Sequence, residues 1–405
     1  MGNVIVAQSG GPTTAINASL VGVVKGTLAS DKYDKIYGAL HGISGVMKED
    51  FILMNDKDLD LIYRTPASYL GSCRYKMPER GESKEIYEKV FAVLNKMDVS
   101  AFFYIGGNDS MDTIAKLSDY GREIGSDIRF AGVPKTIDND LIKTDHTPGY
   151  GSAAKFIATS MLEMAHDTAV YEAPAVTIVE IMGRDAGWLT AAAALARNEY
   201  SSVPQLIYLP EVTFDKTQFI EDIKKLLEKT TNIVVAVSEG IRDAEGSYIS
   251  ATSAANDKFG HAQLSGAGKC LELLVKQELG IKCRSVELNI PQRCAAHIAS
   301  ATDLKESMEL GEKAVEYTLA GETGFMPVIN RVADKPYSYD ISLGDLDEIA
   351  NQARSVPREW INDKGNDIKQ ELTNYMLPLI QGEVEVAYKD GLPVYAALGH
   401  LTGEK

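Results

Sequence analysis

An apolar run that stops at a glycine-bearing turn, followed by residues spaced along one helix face, recurs through most of this chain and leaves few architectures open. Ala101-Phe102-Phe103-Tyr104 is one such run. It ends at Ile105-Gly106-Gly107-Asn108-Asp109-Ser110, after which Met111, Ile114, Ala115 and Leu117 follow at helical spacing. Two glycines allow a tight turn and a close backbone approach, and the N–H groups of the following helix terminus carry partial positive charge. Strand, double glycine and helix in that order suit a phosphate.

The same unit opens the chain. Val4-Ile5-Val6-Ala7 runs into Ser9-Gly10-Gly11-Pro12, and Ile16, Leu20, Val21, Val23 and Val24 predict a buried helix. A short strand over Tyr33–Leu40 ends at the loop His41-Gly42-Ile43-Ser44-Gly45, and Leu70-Gly71-Ser72-Cys73-Arg74 follows. Glu82–Asn95 is helical by spacing. Phe130–Val133 is a strand that delivers Pro134-Lys135-Thr136-Ile137-Asp138-Asn139-Asp140. Beyond the loop His146–Gly151, a helix from Ser152 to about Asp167 marks the crossover to a second series.

There Ala175–Ile181 delivers Met182-Gly183-Arg184-Asp185-Ala186-Gly187, Thr190–Ala196 is helical, and Gln205–Leu209, the helix Lys216–Lys229 and Ile233–Val237 continue the alternation to Ser238-Glu239-Gly240. Ser250–Gly268 reads as a surface loop, Cys270–Leu279 as a helix, and Arg284–Ile290 as a strand leading to Pro291-Gln292-Arg293. The helix Asp303–Leu319 is assigned back to the first domain. From about Arg331 the rhythm is lost, and Trp360, Tyr375, Leu377, Pro378, Leu379 and Ile380 are apolar patches on a polar extension. Such alternation implies parallel sheets covered by helices on both faces, with ligands beyond the carboxyl ends of the strands. Every polar motif above occupies such an end.

Composition narrows the partners. A chain of 405 residues exceeds the growth limit of one core. Its net charge of −16 argues against duplex DNA or an anionic membrane surface as principal partner, so any phosphate site must be a local basic pocket. Cys73, Cys270, Cys283 and Cys294 have neither zinc spacing nor the density of a disulfide scaffold, as expected for reduced cytoplasmic thiols. No signal peptide, myristoylation pattern or membrane-length apolar stretch is expected.

Two tempting motifs are set aside. Gly149-Tyr150-Gly151-Ser152-Ala153-Ala154 matches a dinucleotide fingerprint, but a loop precedes it where a strand is required. Ser152-Ala153-Ala154-Lys155 lacks the companions of acyl-transfer serine enzymes. Asp138 and Asp140 are different, because paired acids at a strand end carry a desolvation and repulsion cost. Phosphoryl transfer needs a carboxylate to deprotonate the acceptor, a cation bridging donor oxygens, and positive groups around the spreading charge. Lys135, Thr136, Asp138 and Asp140 supply such parts within a few residues. Gly183 and Gly187 would let a sugar or phosphate approach beside Arg184.

Together these residues resemble the phosphofructokinases. The likeness spans Ser9-Gly10-Gly11, Leu70 to Arg74, Gly106 to Ser110, Pro134 to Asp140, Met182-Gly183-Arg184, Ser238-Glu239-Gly240 and Gln292-Arg293, in order along nearly the first 330 residues. It implies an α/β fold of two similar three-layer α/β/α domains with mainly parallel sheets and the active site between them. Residues 1–149 with 293–330 would hold the donor phosphates, 150–292 the sugar phosphate, and 331–405 would form a C-terminal extension. Asp138 is implied as the base for the sugar 1-hydroxyl, with Thr136 and Arg184 beside the transferring group. Gly10, Gly11, Arg74, Gly107 and Lys135 would line the donor. Met182, Gly183, Arg184, Glu239, Arg284 and Arg293, together with Thr136 and Asp138, match sugar-phosphate contacts, Arg284 and Arg293 being placed for the 6-phosphate. Mg²⁺ is implied near Asn108 and Asp140.

Two positions bear on the donor. Members using ATP resemble GGDGS and PGTIDND, whereas the pyrophosphate-dependent branch has Asp and Lys at the variable places, as do Asp109 and Lys135 here. The physics agrees: like charges ~4 Å apart cost about 4 kcal/mol at an effective dielectric near 20, which disfavours a nucleotide α-phosphate beside Asp109. Ile43 sits where ATP-dependent members often have an aromatic platform for adenine. The reading is pyrophosphate-dependent phosphorylation of fructose 6-phosphate to fructose 1,6-bisphosphate and orthophosphate, reversible and glycolytic, in a cytoplasmic homo-oligomer, dimer or tetramer, with no nucleic-acid or membrane partner. An ATP-dependent kinase and a non-catalytic sugar-phosphate sensor stand as alternatives. Departures from the family pattern are Asn108 in the place of a metal-associated Asp, Ile290 in that of a sugar-phosphate histidine, and Ala175 in that of an arginine presented across a subunit interface.

Overall fold

The structure is a computed structural model and describes residues 2–249 and 266–396. The surface loop expected over Ser250–Gly268 lies outside the described residues apart from Gly266, Ala267 and Gly268, which open a helix. In chain order the main elements are β1 (Asn3–Gln8), α1 (Ile16–Ser30), β2 (Ile36–Ala39), α2 (Gly42–Lys48), β3 (Phe51–Met54), α3 (Leu59–Arg64), α4 (Lys84–Lys96), β4 (Val99–Gly106), α5 (Asn108–Glu123) and β5 (Arg129–Pro134). They continue as α6 (Tyr150–Ala169), β6 (Ala175–Ile181), α7 (Trp188–Ala191), β7 (Leu206–Tyr208), α8 (Lys216–Leu227), β8 (Asn232–Ser238), α9 (Ala267–Leu279), β9 (Lys282–Glu287), α10 (Ala301–Leu319), β10 (Phe325–Asp334), β11 (Tyr337–Asp345), α11 (Leu346–Ile349) and α12 (Gln370–Met376). None of the helices is long and apolar enough to cross a membrane, among the described residues.

These elements form two compact units, one from the described residues of Met1–Ser152, Arg293–Ala353 and Ile380–Lys405, the other from those of Ala153–Gln292 and Arg354–Leu379. The stretch expected as an extension is therefore shared between the units.

The first unit carries a seven-stranded sheet in the order β11-β10-β5-β4-β1-β2-β3. Strands β2, β1, β4, β5 and β10 are mutually parallel, and β3 and β11 are antiparallel edges. Alternation of side chains across β4 sends Phe102 and Tyr104 into a core shared with α4 and α5, and Ala101, Phe103 and Ile105 into one shared with α1 and α10. Helices thus cover both faces, and the near-continuous apolar strands are explained by burial on both sides. The loss of rhythm after Arg331 is a hairpin: β10 and β11 pair antiparallel, and beyond Ile329 their residues apart from Gly344 are half-buried or exposed, so no long apolar run marks that part.

In the second unit the sheet β7-β8-β6-β9 is wholly parallel. Val176, Ile178, Val235 and Val237 pack against Phe219 and Ile223 of α8 and Leu271 and Val275 of α9, while Val179, Ile181 and Val234 are buried on the other face. Residues 354–379 belong here, with Trp360 and Tyr375 closing an aromatic cluster on Trp188 and the Arg354 guanidinium over the Trp188 ring.

Candidate functional site

The first unit gathers its polar motifs at adjacent strand ends. Register places Gln8 beside Ile105 and Gly106 beside Pro134, so the turns after β1, β4 and β5 are neighbours. The Ser9 N–H donates to the Ile105 carbonyl (2.9 Å), the Lys135 N–H to the Gly106 carbonyl (2.9 Å) and the Gly10 N–H to the Cys73 carbonyl (3.3 Å), which brings the Leu70–Arg74 loop to the same edge. Gly10 has φ +75°, a conformation that L side chains rarely adopt. At Gly106 a Cβ would stand 1.9 Å from Ser110 Oγ, so only glycine lets α5 start this close to the strand.

Lys135 is almost wholly buried and its Nζ donates to the Gly11 carbonyl (2.7 Å). Burial pulls its pKa down to about 8, opposed by the attraction of Asp138 and Asp140 and reinforced by the Arg293 guanidinium. Arg293 lies against the same turn, its Nη1 3.5 Å from the place a Gly11 Cβ would take. The structure therefore puts Arg293 beside the first glycine turn, whereas the sequence pattern assigns it to the sugar 6-phosphate. Arg74 and Asp109 are exposed, and Asp109 stands in the first turn of α5, where an acid also favours the helix dipole.

Thr136, Asp138 and Asp140 follow directly. The Thr136 hydroxyl accepts the Asp138 N–H (3.1 Å), and Asp138 is exposed while Asp140 is half-buried. Between them Asn139 is fully buried at φ +55°. Its Oδ1 accepts the Thr147 N–H (3.0 Å), and the Thr136 N–H donates to the Pro148 carbonyl (3.0 Å). Residues 147–149 thus brace the loop from behind, a role for Asn139 that the pair of flanking acids obscures in the sequence. Asn108 donates from Nδ2 to Asp140 (3.1 Å), and its Oδ1 is buried without a hydrogen-bond partner. Among the described residues no three His, Cys, Asp or Glu side chains converge on a metal position. Mg²⁺ keeps several waters and takes only one or two protein carboxylates plus substrate phosphates. One carboxylate next to an orphaned amide oxygen fits that demand.

The fingerprint-like start of α6 holds no ligand position, because buried Asp303 accepts the N–H groups of Gly149 (2.8 Å) and Ser152 (2.9 Å) and fills the positive helix end.

The second unit has its own cluster. The Gly183 N–H donates to Glu239 Oε1 (3.3 Å), the Met182 N–H to Gln292 Oε1 (3.2 Å) and the Ser238 hydroxyl to the Gly183 carbonyl (2.5 Å). A cavity of about 100 Å³ opens here, lined by Glu180, Met182, Glu239, Glu287, Asn289 and Gln292. Arg184 donates to Asp185 (3.2 Å), which also accepts from Arg242 (2.8 Å). Gln292 and Asp185 lie within motifs read from the sequence but are given no role of their own there, and Arg242 is not singled out by the sequence. Arg284 is not brought to this cluster. It pairs with Thr177 near the start of β9, faces Asp167 at 3.9 Å and shares a small cavity with Ala175. Ile290 is 57 % exposed.

Parallel α/β units with glycine turns, a buried lysine and paired acids at their strand ends define a phosphate-handling enzyme. The chain belongs to the phosphofructokinase family, whose sequence pattern matches residues 3–318. It is 41 % identical over 410 residues to the pyrophosphate–fructose 6-phosphate 1-phosphotransferase of Xanthomonas campestris pv. campestris, covering 100 % of this chain and 98 % of that one. The enzyme of the same name from Halomonas elongata is 39 % identical, with 98 % and 96 % covered. The crystal structure of a pyrophosphate-dependent phosphofructokinase from Nitrosospira multiformis superposes with a TM-score of 0.89 at 36 % identity, covering 97 % of this chain and 95 % of that one.

Proposed function

We propose that this protein is a pyrophosphate-dependent phosphofructokinase that moves one phosphoryl group from pyrophosphate to the 1-hydroxyl of fructose 6-phosphate, reversibly, as a step of cytoplasmic glycolysis. The relatives named above, alike over the whole chain, support this activity. The observation that carries the donor is Lys135: a buried ammonium at a double-glycine turn, with the Arg293 guanidinium on the same turn, suits a compact, highly charged donor.

In this reading Gly10, Gly11, Gly107, Arg74 and Lys135 bind the pyrophosphate, and Asp109 keeps a nucleoside-bearing phosphate out. Asp138, exposed and with its backbone fixed by Thr136, takes the proton of the acceptor hydroxyl, while Thr136 and Arg184 stand by the transferring group. Met182, Gly183 and Glu239 hold the sugar. Asn108 Oδ1 and Asp140 would hold Mg²⁺, which when bound neutralises charge on the donor oxygens. Arg284, a contact for the sugar 6-phosphate in this reading, shares its cavity with Ala175, the place where ATP-dependent members often present an arginine across a subunit interface, and would act toward a second copy of the chain in a homo-oligomer.

Purified protein assayed with fructose 6-phosphate and Mg²⁺ is expected to turn over with pyrophosphate and not with ATP. Turnover with ATP alone would overturn the donor, and sugar-phosphate binding without turnover on either would leave a sensor.

A further inference from the structure

We propose that His146 is a positioning residue for the phosphoryl acceptor loop: clamped between Asp145 and Glu306, it pins the brace formed by Thr147, Pro148 and Gly149 and thereby holds Thr136 and Asp138 in place. The proposal rests on the reading of Asp138 as the acceptor's base.

The clamp is built from three separate parts of the first unit. His146 is 1 % exposed; its Nδ1 lies 2.8 Å from Asp145 Oδ2 and its Nε2 2.6 Å from Glu306 Oε2 on α10. A neutral imidazole has one N–H and could satisfy only one of these carboxylates, whereas the imidazolium donates to both. Each carboxylate is further fixed. Asp145 accepts from Arg331 of β10 (2.9 and 3.1 Å), and Glu306 Oε1 accepts from the Tyr337 hydroxyl of β11 (2.6 Å). The Arg331 guanidinium lies 5.3 Å from the Tyr337 ring centre. Two cations and two anions thus neutralise one another inside the unit, and removing one of them would leave an uncompensated buried charge.

The three residues after His146 connect the clamp to the chemistry. Thr147 donates its N–H to Asn139 Oδ1, the Pro148 carbonyl accepts the Thr136 N–H, and Gly149 bridges to Thr136. Gly149 is tied in turn to Asp303, on the same helix as Glu306. The loop bearing Asp138 therefore leans on three residues whose other side is fastened to α10. On the far side of His146, the Asp145 N–H donates to the Ile329 carbonyl (2.8 Å) and the Thr144 hydroxyl accepts the Ile329 N–H (3.1 Å), which fastens the loop to β10.

The groups touching the imidazole are Asp145 from its own loop and Glu306 from α10; behind them stand Arg331 with Asp334 from β10, Tyr337 from β11, and Asp303 in the field of Glu306 on α10. Burial alone would lower the His146 pKa, but Glu306 and Asp145 outweigh it and raise it to about 9. The clamp is accordingly charged at neutral pH and opens only in alkali.

The test combines His146→Gln, Glu306→Gln and Tyr337→Phe in the full chain, read by amide hydrogen exchange at residues 136–149 and by steady-state kinetics with pyrophosphate against pH. His146→Gln is expected to lose protection at Thr136 and Thr147 and to lower kcat roughly ten- to a hundredfold with little change in either KM, as for a small misplacement of a reacting group. Glu306→Gln is expected to move the alkaline fall of kcat to lower pH, while a fall of kcat/KM for pyrophosphate near pH 8, owed to Lys135, stays put. Full protection with unchanged kcat in His146→Gln, or an alkaline limb unmoved in Glu306→Gln, overturns the proposal. Should His146→Gln fail to fold, Tyr337→Phe decides: a partial loss of protection and of kcat supports the clamp, and wild-type values of both overturn it. Normal turnover of Asp138→Asn would instead sink the base assignment, and the exchange data at Thr136 and Thr147 would still decide the brace.

Discussion

Lys135 does two things with one ammonium. Its Nζ holds the Gly11 carbonyl, which shapes the first glycine turn, and its charge stays beside that turn at neutral pH. Because burial brings its pKa to about 8, kcat/KM for pyrophosphate should fall as pH rises through that value, and a pH–rate profile on each substrate separately checks it. Hydrogen bonds to charged groups contribute about 1.5–3 kcal/mol, so removing this one should cost roughly ten- to a hundredfold in pyrophosphate use. The double substitution Asp109→Gly with Lys135→Gly should show that loss together with a gain of ATP turnover; unchanged preference in the paired assay would place selectivity elsewhere. The gain should be modest. Ile43 is wholly buried in the core under α2, so this chain offers no ring face for adenine there, whatever is done to the phosphates.

At the scale of elements, helix ends and crossings carry the demands that side-chain pattern alone hides. Asp303 closes the amino end of α6 from within the core. Asp303→Ala strands two N–H groups and should cost about 2 kcal/mol or somewhat more, read as a lower urea midpoint at unchanged slope. Helices α1 and α10 meet where Gly22 and Gly311 face backbone; a Cβ on Gly22 would lie 2.0 Å from the Met308 carbonyl oxygen. Gly22→Ala should therefore destabilise by roughly 1–3 kcal/mol despite improving helix propensity, as thermal unfolding will show. These contacts are not legible in the sequence, since nothing in a glycine's local context says that another helix crosses there. The buried parallel strands are legible, because burial on both faces leaves unbroken apolar runs such as Phe102-Phe103-Tyr104. Short elements are not. The loop expected at His41–Gly45 is the start of α2, β3 goes unseen in the sequence pattern, and the outer part of the β10–β11 hairpin, half-buried or exposed for most of its residues, reads there as the start of an extension.

Across the whole chain, two buried bases act on stability with opposite sign. His146 binds its proton more tightly folded than unfolded, so its contribution is fully present below its ordinary value near 6.5 and is lost as pH rises through about 9. Lys135 binds its proton less tightly folded, so stability rises with pH from about 8 toward its ordinary 10.5. Each slope is at most about 1.4 kcal/mol per pH unit. Relative to wild type, Lys135→Met should steepen the alkaline fall of Tm between pH 8 and 9, and His146→Gln should remove the fall between 6.5 and 9; parallel curves for all three proteins would refute the assignment. The candidate site divides along similar lines. Motifs that sit at strand ends are readable, because fold and chemistry both require them there. The surroundings of Arg284 and Arg293 are not readable, because they depend on three-dimensional register: one lies near the start of its strand, and the other against the Gly11 turn.

The first sheet also sets the order in which the chain can become a protein. Strand β5 takes β10 as its parallel neighbour, yet the whole stretch 153–292 is translated between them. At roughly 5–20 residues per second, an apolar edge of β5 waits on the ribosome for on the order of ten seconds or more before its partner emerges. Unpaired strand edges of that kind recruit other strands, so nascent chains on one messenger are at risk of pairing with each other. The flank of β5, whose exit leads into Lys135, is thus closed only after the whole second stretch has been made.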